Sequence, residues 1–451
     1  MDREPGGPGV TQPPEDPYLP GRPDGGLNVD RYELDLDYRV ATNRLDARAV
    51  LHARATRPLD RVSVSLHGLR VTGVLVGGKR PERWTHRDGR IAIRLGRAVD
   101  AGTSLPIEVR YSGQPGPVRG PWGEVGWEEL EDGLIVAGQP DGAPTWFPCH
   151  DSPADKASFT VTVTAEAGYE VLANGSLVSR TPRAGRTRWV YDQPEPMAPY
   201  LATLQVGRYE RVPTSLSTQV LVPPRLRAAA LHDLDRQPQM MALFEHRFGP
   251  YPFAGYTVVV TDDDLEIPLE AQGLAVFGAN HMDGRRGSER LVAHELAHQW
   301  FGNSLTVGRW RDIWLHEGFA CYAEWLWSEQ SGGWSADRHA RSARARLAAL
   351  PQDLVIGDPG PDGMFDDRLY KRGALTLHAL RLAVGDDAFF AVLRTWTARH
   401  RHGTVSTELF VACASEVSGT SVALLVEAWV YRPALPELSA VRPGAPASPA
   451  R

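Results

Sequence analysis

Residues 27–209 alternate apolar and polar positions in short runs that are separated by turn residues. The period of two is clear in Arg31–Tyr38, Arg61–Leu66, Ile91–Leu95 and Phe159–Thr164. Because successive side chains of a strand point to opposite faces, such runs are typical of antiparallel sheets with one buried and one solvated face. The pattern predicts an all-β, sandwich-like N-terminal domain over residues 27–209.

From about residue 224 the apolar positions recur at helical spacing instead. Glycines such as Gly302 and Gly332 mark the predicted helix ends. The predicted helices are Arg225–Phe248, Glu289–Phe301, Ile313–Glu329, Lys371–Val384, Asp387–His400 and Thr407–Val417. One run, Tyr256–Thr261, has the composition of a strand. We predict a mainly α-helical second domain over residues 210–435, and hence an α+β multidomain chain.

The two ends of the chain differ from both domains. Residues 1–26 are rich in proline, glycine and aspartate and lack the apolar stretch of a signal peptide. The last residues are rich in proline and alanine. We expect residues 1–26 and 436–451 to be disordered.

The bulk properties exclude some partners. With 451 residues and a net charge of -6, the chain gives no reason to expect binding to nucleic acid. It contains no run of about 18 apolar residues, so we expect no membrane partner. The three cysteines are few and far apart, which favours a reducing, cytoplasmic location over a disulfide framework.

The segment His294-Glu-Leu-Ala-His298 carries the clearest chemistry. Residues four apart share one face of a helix, so both imidazoles can reach one ion. A catalytic zinc ion takes three protein ligands and keeps one position open. Glu317, at the start of the next predicted helix, supplies the third ligand. Glu295 then stands where it can take a proton from metal-bound water.

The alternative is an exposed helix that carries these residues by accident. The neighbours of the motif are apolar, however, including Leu291, Val292, Leu296 and Trp300. The two histidines and Glu295 would therefore be buried, and burying an ionised carboxyl without a partner costs several kcal/mol, roughly. A bound metal removes that objection, and we predict one Zn²⁺ ion.

The longer run His294–Asn303, with its spacing to Glu317, resembles the aminopeptidase N family of gluzincin metallopeptidases. Phe248–Phe253 is similar to the family's lead into its catalytic domain, and Phe147–Asp151 to a hallmark of its N-terminal domain. The resemblance implies a thermolysin-like fold for residues 210–435. It also implies a short form of the family, without the C-terminal helical domain that closes the cavity in many members.

The resemblance further implies two contacts to the free amine of a peptide. Glu270 stands where the family has the glutamate of a Gly-Ala-Met-Glu-Asn segment, and the alternative is a solvated loop carboxylate. Gln139 lies ten positions before Cys149, like the family's second amine contact, and the alternative is an exposed turn residue. Pro268 departs from the family pattern. Since proline has no N–H to donate, one backbone bond to substrate must be missing or moved.

Two more residues are assigned by resemblance. Tyr370 is similar to the family's tyrosine that donates to the tetrahedral intermediate, although it could equally begin a helix as an amphipathic residue. Glu324 is similar to a carboxylate that orients a ligand histidine, and a surface role is the alternative. The implied function is a zinc aminopeptidase that acts on peptides with a free N-terminus. An endopeptidase, an epoxide-hydrolase-like enzyme or an inactive binding scaffold stays open. A second subunit could cover the open site.

Overall fold

A computed structural model describes residues 16–19, 25–215 and 217–438. The N-terminal part of the chain consists almost entirely of strands. They are β1 Leu27–Arg39, β2 Arg44–Ala55, β3 Leu59–Ser65, β4 Arg70–Val76, β5 Arg83–Arg87, β6 Arg90–Val99, β7 Ser104–Gly113, β8 Val118–Gly120, β9 Gly123–Leu130, β10 Gly133–Ala137, β11 Ala157–Glu166, β12 Glu170–Ala173, β13 Ser176–Arg183, β14 Arg186–Met197 and β15 Leu204–Gly207.

These strands form a seven-stranded, a five-stranded and a three-stranded sheet. The order in the largest is β13-β14-β11-β1-β2-β7-β4, with β1 and β11 parallel. Along β1, Tyr32, Leu34 and Leu36 are buried, whereas Glu33 and Asp35 between them are exposed. The alternation read from the sequence therefore does place one face against the core, and the predicted all-β N-terminal fold is confirmed.

The second part combines a smaller sheet with helices. Its strands are β16 Glu210–Pro213, β17 Thr218–Val222, β18 Tyr256–Val260, β19 Leu269–Ala271, β20 Leu274–Phe277, β21 Thr306–Val307 and β22 Thr404–Val405. Its helices are α1 Arg227–Asp233, α2 Gln237–Phe248, α3 Glu289–Ala297, α4 Trp314–Gln330, α5 Ala336–Ala348, α6 Asp367–Val384, α7 Asp386–Arg399, α8 Thr407–Ser418 and α9 Ala423–Val430. Strands β16 to β20 pair in the order β16-β17-β18-β20-β19, which leaves β19 at an edge.

Two predicted helices differ from the structure. The helix predicted over Arg225–Phe248 is divided into α1 and α2, because Pro238 lacks an N–H and its ring would clash with the carbonyl four residues earlier. The helix predicted over Glu289–Phe301 ends at Ala297. Beyond it the backbone N–H groups of Asn303 and Ser304 bond to carbonyls five residues back. His298 therefore caps α3 instead of lying inside it.

Most of the two ends predicted to be disordered lies outside the described residues. Of the N-terminal end, the described residues Asp16–Leu19 pack on the second domain. Tyr18 Oη donates to Asp358 Oδ1 at 2.5 Å, and Trp310 N–H donates to Asp16 Oδ2 at 3.1 Å. Pro436 O accepts from Arg344 Nε at 2.8 Å. These residues lie within the ranges predicted to be disordered, yet their polar groups bond to the folded domain.

No helix in the described part of the chain is long and apolar enough to cross a membrane.

Candidate active site

All eight residues that the sequence singled out line one cavity of about 780 Å³ between the two domains. They are Gln139, Glu270, His294, Glu295, His298, Glu317, Glu324 and Tyr370. Strands β9 and β10 and the loop after them form one wall of the cavity, and the segment before β19 forms another. Helices α3, α4 and α6 supply the rest. Gln139 and Tyr370, which are 231 positions apart in the sequence, therefore line the same cavity.

Three side chains converge where α3 packs on the first turn of α4. His294 Nε2 and His298 Nε2 each lie 3.5 Å from Glu317 Oε2. All three side chains are buried. Ligands that each stand about 2.0–2.1 Å from a tetrahedral zinc ion are separated from one another by about 3.4 Å. The spacing of these atoms therefore fits one zinc ion.

The other nitrogen of each imidazole is already occupied. His294 Nδ1 lies 2.8 Å from Glu324 Oε1, and His298 Nδ1–H donates to Phe301 O at 2.9 Å. Because a carbonyl oxygen can only accept, His298 carries its proton on Nδ1 when neutral. Both Nε2 atoms are thereby free to act as metal ligands, in the arrangement usual for zinc-bound histidines.

Charge around these residues also favours a cation. Burial lowers the pKa of His298, but Glu317 and Glu270 outweigh this effect and raise the pKa to about 10. Burial likewise lowers the pKa of His294, while Glu317 and Glu324 raise it to about 9. Burial raises the pKa of Glu317, yet the two imidazoles hold it far below 4.5. The carboxylates attract positive charge to this point, which a divalent ion can supply in place of protons.

Glu295 is buried beside the ligands, and its Oε2 has no hydrogen-bond partner among the described residues. Burial raises the pKa of this carboxyl, the two histidines lower it, and the balance stands at about 7. A buried carboxylate oxygen without a partner is an energetic cost unless a water or substrate group meets it. A general base with a pKa near neutrality is suited to accept a proton.

Glu270 lies on the edge strand β19. One of its carboxylate oxygens lies within 4.8 Å of a carboxylate oxygen of Glu295 and of a ring nitrogen of His298. The strand is held against the metal-binding segment: Gln299 Nε2 donates to Ala271 O at 3.1 Å, and Asn303 Nδ2 donates to the same oxygen at 2.9 Å. Burial raises the pKa of Glu270, and His298 lowers it. Glu270 therefore presents its carboxylate to the cavity close to the metal ligands.

Gln139 and Pro268 line the same cavity as Glu270. Gln139, in the loop after β10, has a buried Nε2 without a hydrogen-bond partner in the described part of the chain. Pro268 is buried directly before β19, at the edge of the sheet. Pro268 therefore lies at a sheet edge, which is where the sequence predicts that it removes a backbone donor to substrate. Which backbone bond is lost stays a prediction.

Tyr370 approaches the metal ligands because α4 and α6 cross closely. A Cβ at Gly318 would stand 2.7 Å from the Cα of Gly373, so neither position tolerates a side chain. Tyr370, one turn before Gly373, stacks at 20° on His294 with ring centroids 6.2 Å apart. Burial and the nearby Glu317 raise its pKa well above 10. The phenol stays protonated and can donate a hydrogen bond.

Sequence reasoning missed four residues of this site. Gln299 and Asn303 are fully buried amides that fix β19, and the signal was available: polar residues inside an otherwise apolar motif. Arg290 lies one helical turn before His294, and Lys371 follows Tyr370. Both line the cavity. Only the packing of α3, α4 and α6 shows that these two cations are neighbours.

Both parts of the chain match known protein families. The model of the family described as "Peptidase family M1 domain" matches residues 232–429, and the model described as "Peptidase M1 N-terminal domain" matches residues 28–201. A solved M1 zinc metallopeptidase from Deinococcus radiodurans is 31% identical, with a TM-score of 0.85. The match covers 94% of this chain and 98% of that one. A mutant of that enzyme has been solved with the substrate Tyr-Ser-Ala.

Longer relatives match as well. A leucyl aminopeptidase of Saccharolobus solfataricus is 24% identical over 91% of this chain and 54% of its own length. Human endoplasmic reticulum aminopeptidase 1 is 24% identical over 84% of this chain and 44% of its own. The chain thus spans about half the length of the curated relatives it matches. Yeast LTA4 hydrolase, at 18% identity and a TM-score of 0.81, shares the fold.

Proposed function

The chain belongs to the M1 peptidase family, and from this premise we propose that it is a zinc-dependent aminopeptidase. The observation that supports this most directly is the position of Glu270. An anion beside the metal ligands can hold the ammonium group of a peptide, and this restricts cleavage to the first peptide bond. An endopeptidase has no use for such a carboxylate, because its substrate has no charge there.

Each side chain has a role in this proposal. His294, His298 and Glu317 hold one zinc ion, which when bound lowers the pKa of a water and polarises a carbonyl. Glu295 takes the proton of the attacking water at Oε2 and passes it to the leaving nitrogen. The Tyr370 hydroxyl donates to the oxyanion. These roles balance one proton taken against one proton given.

The remaining residues position substrate or metal ligand. Glu270 and Gln139 bind the free amine, Gln139 through the Nε2 that has no partner among the described atoms. Glu324 orients His294 through Nδ1. With the amine fixed on one side of the metal, the first peptide carbonyl is the one that reaches Tyr370 and Glu295. Removal of a single N-terminal residue follows.

A matched pair of substrates tests the proposal. The zinc-loaded chain should hydrolyse a fluorogenic leucine amide and should leave its N-acetyl form intact, because acetylation removes the charge that Glu270 binds. A Glu295→Gln variant should bind zinc and lose the activity. Equal hydrolysis of both forms would indicate an endopeptidase. Turnover of an epoxide without either amide would indicate the hydrolase alternative, and zinc binding without any turnover an inactive scaffold.

Two further points belong to the proposal. Cys149, Cys321 and Cys413 are all buried, and Cys321 and Cys413 are not in disulfides, which supports a reducing, cytoplasmic location. The cavity opens between the domains, and a second copy of the chain could cover it. Light scattering on the purified protein distinguishes a monomer from such an oligomer.

A further inference from the structure

The cavity wall beyond His294 carries two basic side chains. Of the described residues that line the cavity, Arg290 on α3 and Lys371 on α6 are the ones with a permanent positive charge. The acidic wall residues near β9 and β19 include Glu124, Glu128, Asp264, Glu266 and Glu270. The two cations therefore lie apart from this acidic cluster, and the acidic lining residues beside them are Glu324 and Asp367.

The two cations and Glu270 interact with different residues of the metal site. Arg290 Nη1 donates to Glu324 Oε1 at 2.9 Å, and the same oxygen accepts from the His294 ring at 2.8 Å. Arg290 and Lys371 interact with Glu324 and Asp367, whereas Glu270 interacts with His298 and Glu317. A peptide that has its amine at Glu270 and its first carbonyl at the metal can extend within the same cavity to the two cations.

Both cations keep donors available. The Arg290 side chain is 58% exposed and uses one of its five N–H groups on Glu324. The Lys371 ammonium donates to Cys321 Sγ at 3.4 Å, a weak acceptor, and stands 3.8 Å from Asp367 Oδ1. Burial lowers the pKa of Lys371, but Cys321, Glu324 and Asp367 keep it above 10.5. An anion can bind here without breaking a strong bond.

We propose that Arg290 and Lys371 bind a carboxylate of the substrate on the leaving-group side of the scissile bond. One peptide residue spans about 3.3–3.6 Å, so the chain terminus of a dipeptide or tripeptide comes within reach. The side-chain carboxylate of an acidic second residue has the same chemistry. This inference rests on the proposed aminopeptidase function, and it makes the enzyme selective for short or acidic peptides.

The test compares kcat/KM for Leu-Ala with that for its C-terminal amide, and for Leu-Asp-amide with that for Leu-Asn-amide. Wild type should favour the carboxylate member of at least one pair by about tenfold or more, as a charge-assisted contact allows. In Arg290→Gln and Lys371→Met the ratio should fall toward one. Arg394→Gln, an exposed arginine on α7, is the matched control and should keep the ratio.

The outcomes separate the possible roles. If the variants lose the preference for Leu-Ala over its amide, the two cations bind the carboxylate of the chain terminus. If they lose the preference for Leu-Asp-amide over Leu-Asn-amide, the two cations bind an acidic side chain. If both variants slow the acid and the amide equally, Arg290 and Lys371 only position Glu324 and the proposal is overturned. A zinc-loaded wild type that cleaves none of the four peptides would instead contradict the aminopeptidase assignment.

Discussion

Glu324 Oε1 lies 2.8 Å from His294 Nδ1 and 2.9 Å from Arg290 Nη1. One buried carboxylate oxygen thus joins a metal-binding imidazole to the cation on the cavity wall. Burial raises the pKa of Glu324, but the hydrogen bond from His294 holds it below 4.5, so the carboxylate is charged. The bond fixes the ring orientation and makes Nε2 a stronger ligand.

Replacing Glu324 with Gln should therefore weaken zinc binding. The amide keeps the shape but loses the charge, and comparable changes lower metal affinity by about 10- to 100-fold. Competition with a chromogenic chelator measures this. Glu416→Gln, a surface carboxylate paired with Arg399, serves as the control. Equal zinc affinity in the two variants would show that Glu324 does not support His294.

The pH dependence of activity should report Glu295. Burial raises its pKa to about 7 from the ordinary 4.5, and a cation bound nearby lowers it from there. Only the ionised carboxylate can accept a proton, so activity is present above this pKa and is lost as pH falls through it. The acid limb of kcat/KM should lie between these two values. An acid limb above pH 7, or none down to about pH 4.5, would contradict the assignment of Glu295 as base.

The sequence predicts those parts of the site that depend on spacing along one helix or on a recognised sequence motif. His294 and His298 share a helix face because of their spacing, although α3 ends at Ala297. Glu317 is assigned from its position at the start of the next predicted helix and Tyr370 from resemblance, and the close approach of Gly318 and Gly373 shows how they meet. Such a crossing depends on how helices pack, which periodicity does not encode.

The same limit explains what was missed. Arg290 could be placed on the face of His294 from its spacing of four, yet its partner Glu324 lies 34 residues away on another helix. Pro238 is a helix breaker, whereas the apolar spacing alone predicts a single helix over Arg225–Phe248. Local signals fix the strands and helices, while contacts between them require the folded chain.

Replacing Tyr370 with Phe should reduce kcat by about a hundred- to a thousandfold, which is the usual cost of losing one oxyanion donor. Zinc content should not change, because Tyr370 stacks on His294 without bonding to a ligand atom of the metal. Tyr322→Phe removes another buried hydroxyl, which contacts His378 Nδ1, and should leave kcat near the wild-type value. A Tyr370→Phe enzyme with normal kcat would exclude the oxyanion role.

The last prediction concerns the contact between the domains. Lys156, from the N-terminal domain, donates to Ser304 O at 2.8 Å, Asn303 O at 3.0 Å and Gly403 O at 3.4 Å. Two of these carbonyls, at Asn303 and Ser304, lie in the segment between α3 and β21. A Lys156→Met change leaves Ser304 O without this donor, which costs about 1–3 kcal/mol unless water replaces it, whereas Asn303 O and Gly403 O keep hydrogen bonds from Thr306.

The free energy of unfolding in urea should therefore fall by at least about 1 kcal/mol in Lys156→Met. Lys79→Met, at an exposed position in the same domain, should stay within about 0.5 kcal/mol of wild type. Since Asn303 also holds the strand that carries Glu270, KM for a free-amine substrate should rise with the loss of stability. A variant as stable as Lys79→Met would show that the three bonds do not hold the domains together.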